Sequence, residues 1–257
     1  MSDYDRYANS RPGAGYARSG VAVDQGLRAY MIGVYNYMTL GLGVTGLVAW
    51  GAFQLAEPQF VDGRLVAANE FGRLIWSSGL RWVIVLAPLA LVFWLSARIS
   101  SMSVASARNA FILFAALIGL SMSALLVVYT GASFARAFFA TAAAFASLSL
   151  YGYTTQRSLS AMGSFMMMGV VGLIVASLLN VFLLHSTGLQ FGLSILCVVI
   201  FAGLTAWDTQ AIKEMYYAGD SYEMAQKKSI HGALRLYLDF INMFQAILML
   251  TGSQRNN

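Results

Sequence analysis

The chain has 257 residues, of which 58% are hydrophobic and only 11% are charged, and its formal net charge is +5. Soluble domains are usually about 45–50% apolar and about 25% charged, so this composition excludes a disordered chain, a disulfide scaffold and an ordinary cytosolic enzyme. The single cysteine, Cys197, allows no disulfide within the chain. We interpret the chain as an all-α integral membrane protein. Its positive charges flank apolar runs, which argues against binding to nucleic acid.

In chain order, a polar tail at residues 1–28 is predicted to be flexible and precedes a membrane domain at 29–251 and a short C-terminal tail at 252–257. A transmembrane helix needs about 20 mostly apolar residues. Seven runs meet this requirement: 29–55, 80–97, 109–129, 134–153, 163–185, 189–211 and 233–251. The loop at 56–79 is expected to carry a short amphipathic helix that ends near Trp76.

The distribution of basic residues predicts the orientation of the spans. Eleven Lys and Arg residues lie on the side of the N-terminus and five on the other side. The positive-inside rule then predicts a cytoplasmic N-terminus and an external, periplasmic C-terminus, in agreement with an odd number of spans. The five tryptophans lie near span ends, as in an interfacial aromatic belt: Trp50, Trp76, Trp82, Trp94 and Trp207.

Two acidic residues lie inside predicted spans, where an ionisable side chain costs several kcal/mol unless it is paired or hydrated. Asp208 lies late in the sixth run and Asp239 early in the seventh. Because consecutive spans run antiparallel, the two carboxylates are predicted to lie at a similar depth, near the cytoplasmic boundary. Arg235, Asp239 and Asn242 share one stripe at helical spacing, which predicts a polar side that faces the interior of the bundle.

Two carboxylates in a low-dielectric site do not ionise independently. At about 4 Å and an effective dielectric constant near 20, two like charges repel by roughly 4 kcal/mol, so the pair is expected to share one proton at neutral pH. Such a pair can be a pH-sensing latch, a proton relay or a site for a hard cation such as Ca²⁺, which prefers oxygen ligands. In the alternative interpretation, each aspartate caps a helix or forms a salt bridge with a cytoplasmic Arg or Lys.

Further polar residues are candidates for supporting the pair. Arg98, at the end of the second run, is placed at about the depth of the aspartates and could reach one of them, and the alternative is a side chain that snorkels to the surface. Asn242 belongs to the polar stripe of the seventh run. Asn36 in the first run and Asn180 in the fifth are predicted to be buried amides that form hydrogen bonds between helices.

Three stretches of the sequence resemble the Bax inhibitor-1 family, also called the transmembrane Bax inhibitor motif family, in a bacterial form. They are YNYMTLGL at 35–42 with VTG at 44–46, WDTQAIK at 207–213 and ALRLYLDFIN at 233–242. The last stretch is the most specific. The resemblance covers about residues 25–252.

The resemblance implies a seven-helix fold in which the last helix is central and two three-helix layers surround it. It also implies a calcium leak that is controlled by protonation of an aspartate pair, which maps by motif position to Asp208 and Asp239. Related members carry an arginine near the end of the second helix that holds the closed state, and the nearest arginine here, Arg98, is displaced by a few residues. The bacterial form and the short loops imply the cell inner membrane.

The sequence leaves three functions open. The leading hypothesis is a pH-gated calcium leak channel that needs no bound cofactor and interacts with the lipid bilayer, calcium ions and protons. The first alternative is a non-conducting regulator or scaffold of a stress or protease complex, with protein partners that the sequence does not identify. The second is an intramembrane aspartyl protease. Neither aspartate lies in a Gly-x-Gly-Asp motif, and no motif of serine or metal proteolysis is present, so we expect no enzymatic activity.

Overall fold

The computed structural model describes the backbone of residues 13–255 and the side chains of residues 25–255. Its helices and its one hairpin are α1 (Gly13–Leu55), β1 (Gln59–Val61), β2 (Arg64–Ala67), α2 (Glu70–Trp76), α3 (Leu80–Arg98), α4 (Val104–Val128), α5 (Gly131–Thr154), α6 (Ser160–Leu179), α7 (Thr187–Glu214) and α8 (Tyr222–Thr251). Seven of the described helices are long and apolar enough to cross a membrane. The all-α membrane fold predicted from the sequence is therefore confirmed.

The helices extend beyond the predicted apolar runs. The helix α1 begins at Gly13. Residues 13–28 are therefore helical, in contrast to the flexible tail predicted there. The rest of that predicted tail, residues 1–12, lies outside the described residues. The last span, α8, begins at Tyr222 instead of residue 233. Its first turns are polar, and hydrophobicity alone therefore places its start too late.

Helix capping explains several of these boundaries. The side-chain oxygens of Ser103, Thr130, Ser186 and Ser221 each accept a hydrogen bond from the backbone N–H three residues further on. Such a cap satisfies one of the donors that the first turn of a helix leaves free. In α8 the cap is followed by an ion pair, and Lys227 Nζ lies 2.9 Å from a carboxylate oxygen one turn earlier. Local polar interactions thus start α8 well before its apolar run.

A π-helical turn at Asn180–Leu184 joins α6 to α7. The buried Asn180 amide accepts a hydrogen bond from the Ser186 backbone N–H (2.9 Å) and donates to Gln190 Oε1 of α7 (3.3 Å). These bonds confirm the interhelical role predicted for Asn180. At the end of the turn, His185 adopts the left-handed conformation with φ of 47°, which lets the chain reverse direction.

The short segments between α1 and α3 cover one end of the bundle. The strands β1 and β2 pair antiparallel, and α2 ends at Trp76 as predicted. The Trp76 indole N–H donates to Ser123 of α4 (3.0 Å). From the C-terminal tail, Arg255 stacks over Phe60 at 4.6 Å and over Phe53 at 5.6 Å. The hairpin and the tail therefore pack together at the end of the bundle where α1 finishes.

The helix α8 is the most enclosed of the spans. In its most apolar window 61% of the residues are buried, compared with 11–33% in the other six, and it packs against α1, α4, α5 and α7. Within it, the Tyr237 hydroxyl is hydrogen-bonded to Thr45 of α1 (2.6 Å), and Phe111 and Phe114 of α4 meet its ring edge-on. The arrangement of the other helices in two layers of three stays a prediction.

Candidate functional site

The two intramembrane aspartates are buried neighbours on adjacent helices. Asp208 of α7 is 6% exposed and Asp239 of α8 is 4% exposed. Their carboxyl groups are close enough for the two side chains to interact electrostatically. A carboxylate can only accept hydrogen bonds, so a bond between two carboxyl groups requires that one of them carries a proton. The geometry therefore permits the shared proton expected from the sequence.

A guanidinium group from the next helix completes this cluster. Arg235 Nη2 donates to Asp208 Oδ1 in an ion pair. The Arg235 guanidinium also lies 5.1 Å from the centre of the Trp207 ring, in a cation–π contact. The Asp208 side chain is 8% exposed and that of Arg235 is 27% exposed, so the ion pair is largely shielded from solvent. A salt bridge to a basic residue, the alternative considered from the sequence, is therefore present at Asp208.

Within the described residues, Asp239 forms no ion pair. Among the described residues, its Oδ2 atom is buried without a hydrogen-bond partner. One turn before Arg235 on the same helix, His231 Nδ1 also has no partner there. The cluster thus sets one guanidinium against two carboxyl groups. Burial of a second ionised carboxylate without a partner would be costly.

The Trp207 indole, which contacts the Arg235 guanidinium, packs closely against α6. A side chain at Gly163 would collide with the Trp207 ring, so the absence of a side chain at this glycine lets the indole lie flat on α6. The same ring contacts the Arg235 guanidinium, so the packing of Trp207 on α6 helps to position the group that pairs with Asp208.

A chain of hydroxyl groups joins three helices beside the cluster. The Tyr35 hydroxyl of α1 is hydrogen-bonded to Ser149 of α5 (2.6 Å), and Ser149 is bonded to Thr209 of α7 (3.0 Å). Thr209 follows Asp208 directly and also donates to the Thr205 carbonyl on its own helix (2.8 Å). No role was predicted for these hydroxyl groups from the sequence, although Tyr35 and Thr209 lie in two of the stretches that resemble the family.

In the described part of the chain, the remaining candidates form no ion pair or hydrogen bond with the aspartates. Arg98 is exposed at the end of α3, and within the described residues it forms no salt bridge. The Asn242 amide donates to the Leu238 carbonyl of its own helix (2.8 Å). Asn36 is exposed on α1, so the buried amide predicted at this position is not found. The latch role of Arg98 stays a prediction, while Arg235 forms the ion pair that is observed.

The pair offers few ligands for a tightly bound metal. Ca²⁺ takes about 6–8 oxygen ligands, and backbone carbonyls and waters supply some of them in many sites. No group of three His, Cys, Asp or Glu side chains that could hold a metal occurs in the part of the chain that the structure describes. Asp208 and Asp239 would therefore supply only part of a coordination shell. Such an incomplete set of ligands is better suited to a brief contact with a hydrated cation than to a permanently bound ion.

Comparison with known proteins gives a consistent assignment. A family model described as "Inhibitor of apoptosis-promoting Bax1" matches residues 27–256. An uncharacterized protein of Rickettsia prowazekii is 42% identical, over 91% of this chain and 93% of its own. An uncharacterized protein of Caulobacter vibrioides is 42% identical over 99% of this chain and 100% of its own. The inner membrane protein YbhL of Escherichia coli is 42% identical over 90% of this chain and 94% of its own.

Proposed function

Because the chain belongs to the Bax inhibitor-1 family, we propose that this multi-pass membrane protein is a pH-sensitive leak channel for Ca²⁺, gated by Asp208 and Asp239. The observation that carries the proposal is the buried cluster of two carboxyl groups and one guanidinium on α7 and α8. The name of the Escherichia coli relative supports a place in the inner membrane. The excess of basic residues on the side of the N-terminus supports a cytoplasmic N-terminus.

In this proposal, a change in the net charge of the cluster opens and closes the channel. In the closed state, Asp208 is ionised and held by Arg235, and Asp239 is neutral and shares its proton with Asp208. A neutral Asp239 avoids both the repulsion between like charges and the cost of an unpaired buried carboxylate. When the pH rises and this proton leaves, the cluster gains a negative charge that a single guanidinium cannot balance. The added charge attracts cations and loosens the contact between α7 and α8.

The charges and oxygen atoms of the cluster also explain why a divalent cation would pass. Carboxylate oxygens are hard ligands that Ca²⁺ accepts, and the hydroxyl groups of Ser149, Thr209 and Tyr35 offer further oxygen atoms alongside. Arg235 opposes cation entry in the closed state through its positive charge. The site therefore changes from one that excludes cations to one that attracts them when a single proton is lost.

Calcium flux into vesicles that contain only this protein tests the channel proposal. Purified protein is reconstituted into liposomes that carry a calcium-sensitive dye, and uptake is compared with that of protein-free liposomes. We expect uptake above that background, and uptake that is greater at pH 8 than at pH 6. Uptake equal to that of protein-free liposomes at every pH would contradict the channel and favour a non-conducting regulator of a stress or protease complex.

A further inference from the structure

A long cleft opens towards the bilayer between α1 and α5. Its volume is about 1120 Å³, which is slightly above the roughly 300–1,000 Å³ that is typical of small-molecule sites. Its walls are apolar side chains of the two helices, and Phe240 of α8 lies at its floor. Wall residues such as Leu47 and Leu150, with exposed fractions of 71% and 63%, leave the cleft open to lipid.

The cleft is long enough to take an acyl chain along its whole length. On α1 its lining runs from Arg28 to Leu47, and at a rise of about 1.5 Å per residue this is about 28 Å. One leaflet contributes about 15 Å of hydrocarbon, half of the usual core thickness. A chain that enters at the Arg28 end therefore fits within the cleft.

The polar atoms of the cleft are concentrated at one end. Arg28 is exposed at the mouth. Tyr153 lines the cleft from α5, and its carbonyl accepts a hydrogen bond from the ammonium group of Lys213 (2.7 Å), which does not itself line the cleft. Further in, the hydroxyl groups of Tyr35 and Ser149 are hydrogen-bonded to each other, which leaves the walls apolar. The mouth is thus positively charged and the interior is apolar.

Two glycines of α1 keep the cleft open. Gly43 and Gly46 line it, and a Cβ atom built on either one would meet no other atom within 4 Å. A larger side chain at these positions would enter the cleft without disturbing the helix packing. The wall can therefore be altered without altering the fold.

From the length, polarity and charge of this cleft, we propose that it binds one anionic phospholipid. The phosphate lies at Arg28, and one acyl chain runs between α1 and α5 towards Gly46. The proposal is independent of the channel proposal, since lipid binding at this cleft does not require conduction. The exposed Arg28 guanidinium at the mouth matches an anionic headgroup, and the apolar walls match a hydrocarbon chain.

Native mass spectrometry of the detergent-solubilised full chain tests the proposal. The probes are phosphatidylglycerol and phosphatidylcholine with identical acyl chains. We expect the wild-type protein to retain one phosphatidylglycerol in preference to phosphatidylcholine. Each basic residue near a membrane surface favours anionic lipid by about fivefold, so Arg28→Gln should lower this preference by about fivefold while the weaker binding of phosphatidylcholine is unchanged. Equal retention of both lipids by the wild type would overturn the proposal.

Variants that fill the cleft with a larger side chain provide a second test. We expect Gly46→Leu and, independently, Gly43→Leu to lose the retained lipid. Gly51→Leu is the matched control, because a Cβ there also meets nothing within 4 Å but the residue does not line the cleft. Wild-type retention in both filling variants, or an equal loss in Gly51→Leu, would overturn the proposal. A dimer of the chain that Gly46→Leu abolishes, with no lipid bound, would assign the cleft to a second copy and overturn it as well.

Discussion

Arg235 carries the only positive charge that is bonded to the aspartate pair in the described part of the chain. Its guanidinium is bonded to Asp208 and rests on the Trp207 ring. The family resemblance implied instead that an arginine at the end of the second span would hold the closed state. Arg98 occupies nearly that place in the sequence but is exposed. The two arginines therefore make a direct comparison possible.

Replacing Arg235 with glutamine should raise calcium leak at pH 7 and reduce stability. The variant loses the charge that opposes cation entry and leaves Asp208 buried without a counter-ion. Removal of one partner from a fully buried pair costs about 3–5 kcal/mol. Because the Arg235 side chain is 27% exposed, we expect a smaller loss, about 2 kcal/mol. Flux into proteoliposomes and unfolding in detergent measure the two effects.

Arg98→Gln is the matched control for this prediction. It removes the same charge from an exposed position that does not contact the pair, so both leak and stability should stay at wild-type values. If Arg98→Gln raised the leak while Arg235→Gln left it unchanged, the latch would be Arg98, as the family resemblance implied.

At the level of helices, hydroxyl groups tie α1, α5 and α7 together beside the pair. Tyr35→Phe removes the bond to Ser149 with little change in shape, so it should lower stability by about 1 kcal/mol. Adding Ser149→Ala should cost less than the sum of the two single changes, because both act on one network. The measurement is thermal unfolding in detergent. Tyr151→Phe on α5, where the tyrosine is 51% exposed, should have no effect, and an equal loss there would contradict the prediction.

The sequence predicts the helices well because each span is a long apolar run. It also predicts that Asp208 and Asp239 lie at a similar depth, since both are near the shared end of consecutive antiparallel helices. The short helix that ends at Trp76 follows from its amphipathic pattern. These properties depend on residues close together in the chain.

Other features depend on how the helices are rotated against each other. The sequence places Arg235 one turn from Asp239, but only the packing of α7 on α8 directs its side chain to Asp208. Asn36 was expected inside and is exposed, because a single amide in an apolar run does not reveal which face of a helix meets lipid. The early start of α8 is a local feature of the Ser221 cap and an ion pair within the helix, and a search for apolar runs does not detect it. None of these contacts leaves a periodic signal in the sequence.

For the whole molecule, the excess of basic residues on one side predicts the orientation in the membrane. A reporter fused after Asn257 should be external, and one inserted between α7 and α8, within residues 215–221, should be cytoplasmic. The physical reason is the positive-inside rule. Enzymatic activity of the two reporters in whole cells provides the measurement. If both reporters were on the same side of the membrane, the alternation of seven spans would be wrong.

In the proposed mechanism, protonation of Asp208 and Asp239 as a pair controls the leak. Replacing either carboxyl group with an amide removes the coupling between like charges, so Asp208→Asn and Asp239→Asn should each abolish the dependence of calcium flux on pH. The double variant should add little to either single change, because coupled residues are not additive. Asp62→Asn, in the turn of the hairpin where φ is 47°, is the matched control and should keep the wild-type response.

The most direct test is calcium flux into proteoliposomes between about pH 6 and pH 8 for the wild type, the two single variants, the double variant and Asp62→Asn. We expect flux that rises with pH in the wild type and in Asp62→Asn, and flux that is independent of pH in the other three. A wild-type pH response in both single variants, or a double variant that equals the sum of two independent effects, would contradict it. Asp208 would then be the salt-bridge partner of Arg235 and no part of a gate.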